Sequence, residues 1–240
     1  MEVDTDITEQ LGVKKYEPEI VSNEQSAKMG NSAGNFPSRI PKTDEIRIQS
    51  SLKLLDELYE AGAYYISVKM DGTSATFCYD EEEFCACSRN FKKKDDEKNV
   101  YWNMARKYNL QEVLKDTNFA IQGEICSPGL QKNKLRLTEP DLFIFDIYDI
   151  KAGRYLGLSD MVDFCDKNKL QTVPIESICV GEEKQSLETW LGRAEGKYKG
   201  TDVEREGIVV RPLVPTYSRK LHGRLSFKVI NNLFLLKNGE

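Results

Sequence analysis

Strand follows strand between Tyr64 and Tyr148, and this patterning limits the possible folds more than any other feature of the chain. Tyr64 to Met70 alternates, with Tyr65, Ser67 and Lys69 on one face and Ile66, Val68 and Met70 on the other. Ala75–Tyr79 and Phe84–Ser88 read as two strands joined by the acidic turn Asp80-Glu81-Glu82-Glu83. Phe119–Ile125 and the aromatic run Leu142–Tyr148 add two more, with a helix around Asn99–Tyr108 between the pairs. Gly207–Arg211 and Leu225–Ile230 finish the sheet. This order lacks the regular βαβ alternation of a doubly wound fold, so the class is α+β.

Other helices are expected where Leu52, Leu55 and Tyr59 share a face that stops near Gly62, from a Ser159 cap to about Lys167, and from a Ser186 cap to about Tyr198. The charge run Lys92–Lys98 reads as a solvated loop. Ser22 to Pro41 is rich in Ser, Asn, Gly and Pro and reads as an extended arm. Residues 1–45 are therefore expected to form an N-terminal arm or linker, and 46–240 the main domain.

Composition narrows the function. The net charge of −5 argues against a general phosphate-coating protein, which would be basic, and leaves room for one local basic groove. No apolar run approaches the ~18–20 residues of a membrane span, and the acidic start MEVDTDITEQ lacks the apolar core of a secretory signal. None of the six cysteines forms a Cys-x-x-Cys pair, and His222 is the only histidine, which argues against a structural zinc. Buried reduced thiols in an intracellular protein are expected instead. One histidine also leaves little scope for Ser-His catalysis.

Six signals carry chemistry. Lys69-Met70-Asp71-Gly72 places a lysine at a strand mouth before a tight turn. Its amine attacks phosphorus only when unprotonated, a state that cationic neighbours and a nearby metal favour. Ser88-Arg89-Asn90 offers a guanidinium suited to phosphate or ribose oxygens. Gln122-Gly123-Glu124 closes a strand with a carboxylate able to hold a sugar hydroxyl or a metal-bound water. Leu142-Phe143-Ile144-Phe145-Asp146 presents two aromatics on one face, one able to stack on a purine for roughly 1–3 kcal/mol. Glu206-Gly207 starts a late strand, and Lys228 stands in the last one. Between them Arg219, Lys220, His222 and Arg224 form the most basic stretch, read as a phosphate-contacting strip beside the site. Each signal alone is equally an ordinary turn, core or surface feature. Their order along the chain is what raises them together.

That order resembles the covalent nucleotidyltransferase superfamily of ATP-dependent ligases and capping enzymes. Within it, the run GEICSPGLQKN is similar to RNA ligases of the phage T4 RNA ligase 2 type and the Deinococcus type, and the opening segments LGVKKYEPEI and FPSRIPKTDEIRIQ resemble the entry to the catalytic domain of the Deinococcus type. The resemblance implies an antiparallel-sheet, ATP-grasp-like adenylyltransferase domain with flanking helices. It implies Lys69 as the lysine that accepts AMP, with Asp71 completing its motif and Lys228 on the α-phosphate. Arg89, Glu124, Phe145 and Glu206 complete the nucleotide site, with Asp71, Glu124 and Glu206 reaching Mg²⁺ or Mn²⁺ largely through water. The cofactor implied is ATP, and the partner an RNA with 3′-hydroxyl and 5′-phosphate ends, contacted by Arg219, Lys220 and Arg224. The alternatives are a DNA ligase, a GTP-dependent capping enzyme or an inactive nucleic-acid-binding relative. Two departures stand out. Ile230 occupies a position where some relatives carry a second lysine, and the chain leaves no room for the OB-like domain that precedes the catalytic one in the Deinococcus type.

Overall fold

In the computed structural model, which describes residues 32–238, two short strands, β1 (Ser32–Asn35) and β2 (Ile46–Arg47), precede helix α1 (Lys53–Ala61). Much of the expected arm, residues 1–31, lies outside the described residues. Helix α1 buries Leu54, Leu55 and Leu58 and ends at Gly62, whose φ of 76° suits glycine. Leu52, expected on its inner face, precedes the first turn and is 49% exposed.

Strand β3 (Ala63–Lys69) leads into β4 (Thr73–Asp80) and β5 (Glu83–Cys87). Glu81 and Glu82, with φ of 52° and 70°, form the tight turn between β4 and β5, as the acidic run predicts. Strand β6 (Phe91–Lys93) takes up the start of the run expected to be a solvated loop. It does so by pairing with β1 on one side and β5 on the other, where Lys92 also meets Asp80 at 2.8 Å. Helix α2 (Val100–Lys107) is capped by Asn99, which accepts the Tyr101 N–H, and α3 (Leu110–Leu114) follows. Next come β7 (Phe119–Cys126), β8 (Asp141–Asp149), β9 (Arg154–Tyr155) and α4 (Leu158–Lys167). Ser159 lies inside α4 rather than capping it, because Gly157 is the cap residue and the Met161 N–H, which a Ser159 cap would accept, bonds the Gly157 carbonyl at 3.0 Å.

Strands β10 (Gln171–Thr172) and β11 (Ile175–Val180) precede α5 (Leu187–Ala194), which Ser186 caps as expected. Helix α5 stops short of Tyr198. The Arg205 guanidinium takes the carbonyls of Arg193, Ala194 and Glu195, ending the helix there. The chain finishes with β12 (Gly207–Pro212), β13 (Tyr217–Ser218), β14 (Gly223–Arg224), β15 (Phe227–Ile230) and α6 (Asn232–Asn238).

These strands make two main sheets, not the one the sequence implied. One runs β1-β6-β5-β4-β7-β8-β10 with β9 beside β8, and the other runs β11-β3-β12-β15-β2. Pairing is antiparallel except for β8 with β10 and β2 with β15. Residues 32–45 are part of this framework: β1 joins the first sheet through β6, and Glu45 bonds Arg211 at 2.8 Å. Helices α2, α3 and α4 cover the first sheet through Met104, Leu110, Leu114 and Met161, while Leu58 of α1 and Trp190 of α5 cover the second. A smaller cluster around Met70, Cys126, Val173 and Tyr198 sits where the sheets meet.

The chain crosses from one sheet to the other at Met70-Asp71-Gly72. Gly72 is required there, since a Cβ would stand 2.2 Å from the Ile125 carbonyl oxygen. All six cysteines are free and buried, as their apolar runs predict. Among the described residues no helix is long and apolar enough to cross a membrane.

Candidate active site

Because β3 and β4 belong to different sheets, the turn between them opens onto a cleft. The cleft has a volume of about 310 Å³ and takes in Lys69, Arg89, Glu124, Phe145 and Lys228. Strand alternation explains why each side chain arrives there. Ser67 and Lys69 share the β3 face opposite Tyr64 and Ile66, which pack under α1 and α5. Val209 and Arg211 do the same in β12, and Lys228 in β15 stands directly opposite Val209.

Lys69 donates to Glu206 Oε2 at 2.8 Å. Burial, the largest single influence, pulls the Lys69 pKa down, but Glu206, Glu124 and Asp71 together outweigh it and leave the ammonium form favoured. This corrects the expectation that cationic neighbours would free the amine. Glu124, in β7, accepts the Gly72 N–H at 3.1 Å. Burial pushes its carboxyl up to about 7, against the pull of Lys69 and Gly72, with Glu206 and Asp71 adding to the rise. Burial likewise raises Glu206. Lys228 moves the other way, lowered by burial and then by the facing charge of Lys69.

Asp71 ion-pairs with Lys134, and both side chains are nearly buried. Arg89 is exposed on the turn after β5 and pairs with Asp44. Phe145 lines the cleft, while its carbonyl accepts from Arg211 at 3.3 Å. Ile230 is buried opposite Gly207, at the end of the strand that carries Lys228.

The expected basic strip is not assembled. Arg224 pairs with both carboxylate oxygens of Asp146 and lies 3.6 Å from the centre of the Tyr155 ring, so its charge is committed inside the protein. Arg219 is exposed and reaches Glu60 on α1 at 3.1 Å, and the Lys220 backbone N–H donates to Glu57. Neither residue lines the cleft.

The arrangement matches a known family. A profile of the RNA ligase family matches residues 62–230. The chain belongs to the RNA ligase family. It is similar to the Naegleria gruberi RNA ligase solved with PPi, at 31% identity and a TM-score of 0.77, covering 99% of this chain and 68% of that one. A lysine-to-alanine variant of that ligase with ATP and Mn matches at 31% identity and a TM-score of 0.79, with the same coverage. A lysine-to-methionine variant with AMP and Mn matches at 31% and 0.76, covering 97% of this chain and 67% of that one. No curated protein matches the chain by sequence.

Several residues around this cleft escape a reading by motif. Thr43, Asp44 and Glu45 line the cleft from the segment expected to be an arm. The Tyr198 hydroxyl donates to the Lys69 carbonyl and accepts the Glu206 N–H, both at 3.1 Å, so it ties the two motifs together through their backbones. Arg211 had a legible signal: an arginine in the apolar strand GIVVRP needs acidic partners if it is buried. It is buried, held by Glu45, Asp146 and Ser226.

Proposed function

We propose that this RNA ligase family member uses ATP to form a lysyl-AMP at Lys69, passes the AMP to an RNA 5′-phosphate and seals that end to a 3′-hydroxyl. The supporting observation is the placement of Lys69 at the mouth of a nucleotide-sized cleft, between Glu206 and Glu124 and facing Lys228. In the first step a bond forms between Lys69 Nζ and the α-phosphorus while the α–β phosphoanhydride bond breaks. Pyrophosphate leaves, and the nitrogen gives up a proton. Phe145 and Val209 supply apolar surface for the adenine, Arg89 a guanidinium for ribose or phosphate, and Lys228 a cation for the α-phosphate.

Lys69 is held as an ammonium by Glu206, so attack requires it first to give up a proton. Among the described residues no three His, Cys, Asp or Glu side chains converge as a direct metal-ligand set. Negative charge is nevertheless concentrated here, since Asp71 raises the carboxyls of both Glu124 and Glu206, and Glu206 adds to the rise at Glu124. That concentration fits a divalent cation held through its water shell. Mg²⁺ or Mn²⁺ bound there would offset the charge developing on the phosphate oxygens.

The RNA ligase family favours this reading over a DNA ligase, a capping enzyme or an inactive relative. Free cysteines suit a reducing intracellular compartment. An OB-like domain is proposed as a partner in end-joining. The test is incubation with α-labelled ATP and Mg²⁺ or Mn²⁺, followed by a denaturing gel, for wild type and Lys69→Ala. Label on wild type alone is the expected result, and label retained by Lys69→Ala overturns the assignment.

A further inference from the structure

The loop between β7 and β8 is exposed yet tightly built. Gln131, Lys132, Asn133 and Arg136 all have positive φ, between 46° and 58°, a conformation that costs non-glycine residues energy and marks a backbone held for a purpose. The Asn133 side chain holds it by donating to the Leu137 carbonyl and accepting the Leu137 N–H, each at 2.9 Å. Leu135 and Leu137 anchor it in the cluster beside Met70 and Tyr198.

This loop forms one wall of an open groove whose other walls are Asp202–Glu204 and the end of α6. Lys132, Lys134, Arg136 and Lys237 line it, against Asp202 and Glu204. Lys132 has no carboxylate partner among the described residues, and Arg136 and Lys237, though paired with Asp202 and Glu204, are more than half exposed. A cationic excess at one place stands out in a chain of net charge −5. Lys134 joins the groove to the nucleophile's motif, since its ammonium pairs with Asp71 and lies 4.2 Å from the centre of the Phe234 ring in α6. Lys134 therefore links the groove, through Asp71, to the turn that follows Lys69.

We propose that this groove, lined by Lys132, Arg136 and Lys237, receives the backbone phosphates of the RNA whose 5′-phosphate takes the AMP from Lys69. The proposal rests on the ligase reading above. Strained, fixed backbone presents the cations with little backbone ordering at binding, and exposed Lys and Arg exchange counterions for phosphates. The groove takes over the role expected of Arg219, Lys220 and Arg224.

The test compares wild type with a Lys132→Gln/Arg136→Gln double variant, both checked for an unchanged melting curve. Each is titrated with 5′-phosphorylated RNA, as a nicked duplex and as a single strand, across a series of KCl concentrations. Lysyl-AMP formation with ATP and Mg²⁺ or Mn²⁺, without RNA, is read in parallel on wild type. The expected result is roughly tenfold weaker RNA binding by the variant, with a salt slope shallower by about 0.7–0.9 for each phosphate that the variant no longer neutralises. Equal affinity and equal slope would overturn the groove, as would wild type binding neither RNA. Weakened binding in Arg219→Gln/Lys220→Gln, with the groove variant unaffected, would also overturn it by returning the RNA to the other strip. Absence of lysyl-AMP from wild type would instead sink the ligase reading, so the two failures are distinguishable.

Discussion

The Lys69 ammonium and the Glu206 carboxylate meet at 2.8 Å where two strands of the same sheet adjoin, 137 residues apart in sequence. The pair keeps the nucleophile protonated, because Glu206 heads the attractions that outweigh the burial of Lys69. Glu206→Gln removes the charge while keeping an oxygen to accept the bond. The Lys69 pKa then falls, because the largest attraction opposing its burial is gone. Lys69 in this variant is expected to react faster with acetic anhydride at about pH 8 than in wild type, as read by peptide mass spectrometry. An unchanged rate would show that Glu206 does not hold the proton.

Glu124 gives a stability signature. Its folded carboxyl titrates at about 7, above its ordinary unfolded value near 4.5, chiefly because it is buried. The folded state therefore binds the proton more tightly. Stability from this group is fully present below about 4.5 and is lost as pH rises through about 7. Glu124→Gln can still accept from Gly72 and escapes this loss. Relative to wild type it should gain up to about 2–3 kcal/mol between about pH 5 and pH 8, measured by urea unfolding without nucleotide.

Gly72 and Gly129 flank the same region with opposite constraints. A Cβ on Gly72 would meet the Ile125 carbonyl at 2.2 Å, whereas nothing lies within 4 Å of one on Gly129. Gly72→Ala is expected to cost about 2–3 kcal/mol and to displace the Lys69 turn, while Gly129→Ala stays within about 0.5 kcal/mol of wild type. Equal melting temperatures for the two variants would contradict the close approach of β4 and β7 at this turn.

Arg211 joins three parts of the chain, bonding Glu45, Ser226 and the Phe145 carbonyl and lying near Asp146. Arg211→Met leaves two nearly buried carboxylates with only Arg224 between them. It should cost about 3 kcal/mol, read by urea unfolding. It should also raise the KM for ATP, since Phe145 and Glu45 both line the cleft. Arg211→Lys should not rescue either effect, because a single ammonium lacks the fork geometry these partners need.

Local chemistry along the chain was enough to show the strands and the signals at their ends. Alternation has a period of two, so Tyr64 to Met70 reveals its faces without knowledge of its neighbours, and Asn99, Ser186 and Gly62 mark helix ends through bonds that span a few residues. Boundaries failed where a distant group intervened. Arg205 cut α5 short by taking the carbonyls of Arg193, Ala194 and Glu195.

The sequence by itself determined that Lys69, Arg89, Glu124, Phe145, Glu206 and Lys228 stand in or beside strands in a fixed order, since residue type and period are written locally. Only the tertiary structure decided that the strands divide into two sheets, that Asp71 belongs to Lys134 and that Arg224 is spent on Asp146. The reason is that a charge takes whichever partner the packed chain brings within about 3 Å, and those partners lie 63 and 78 residues away.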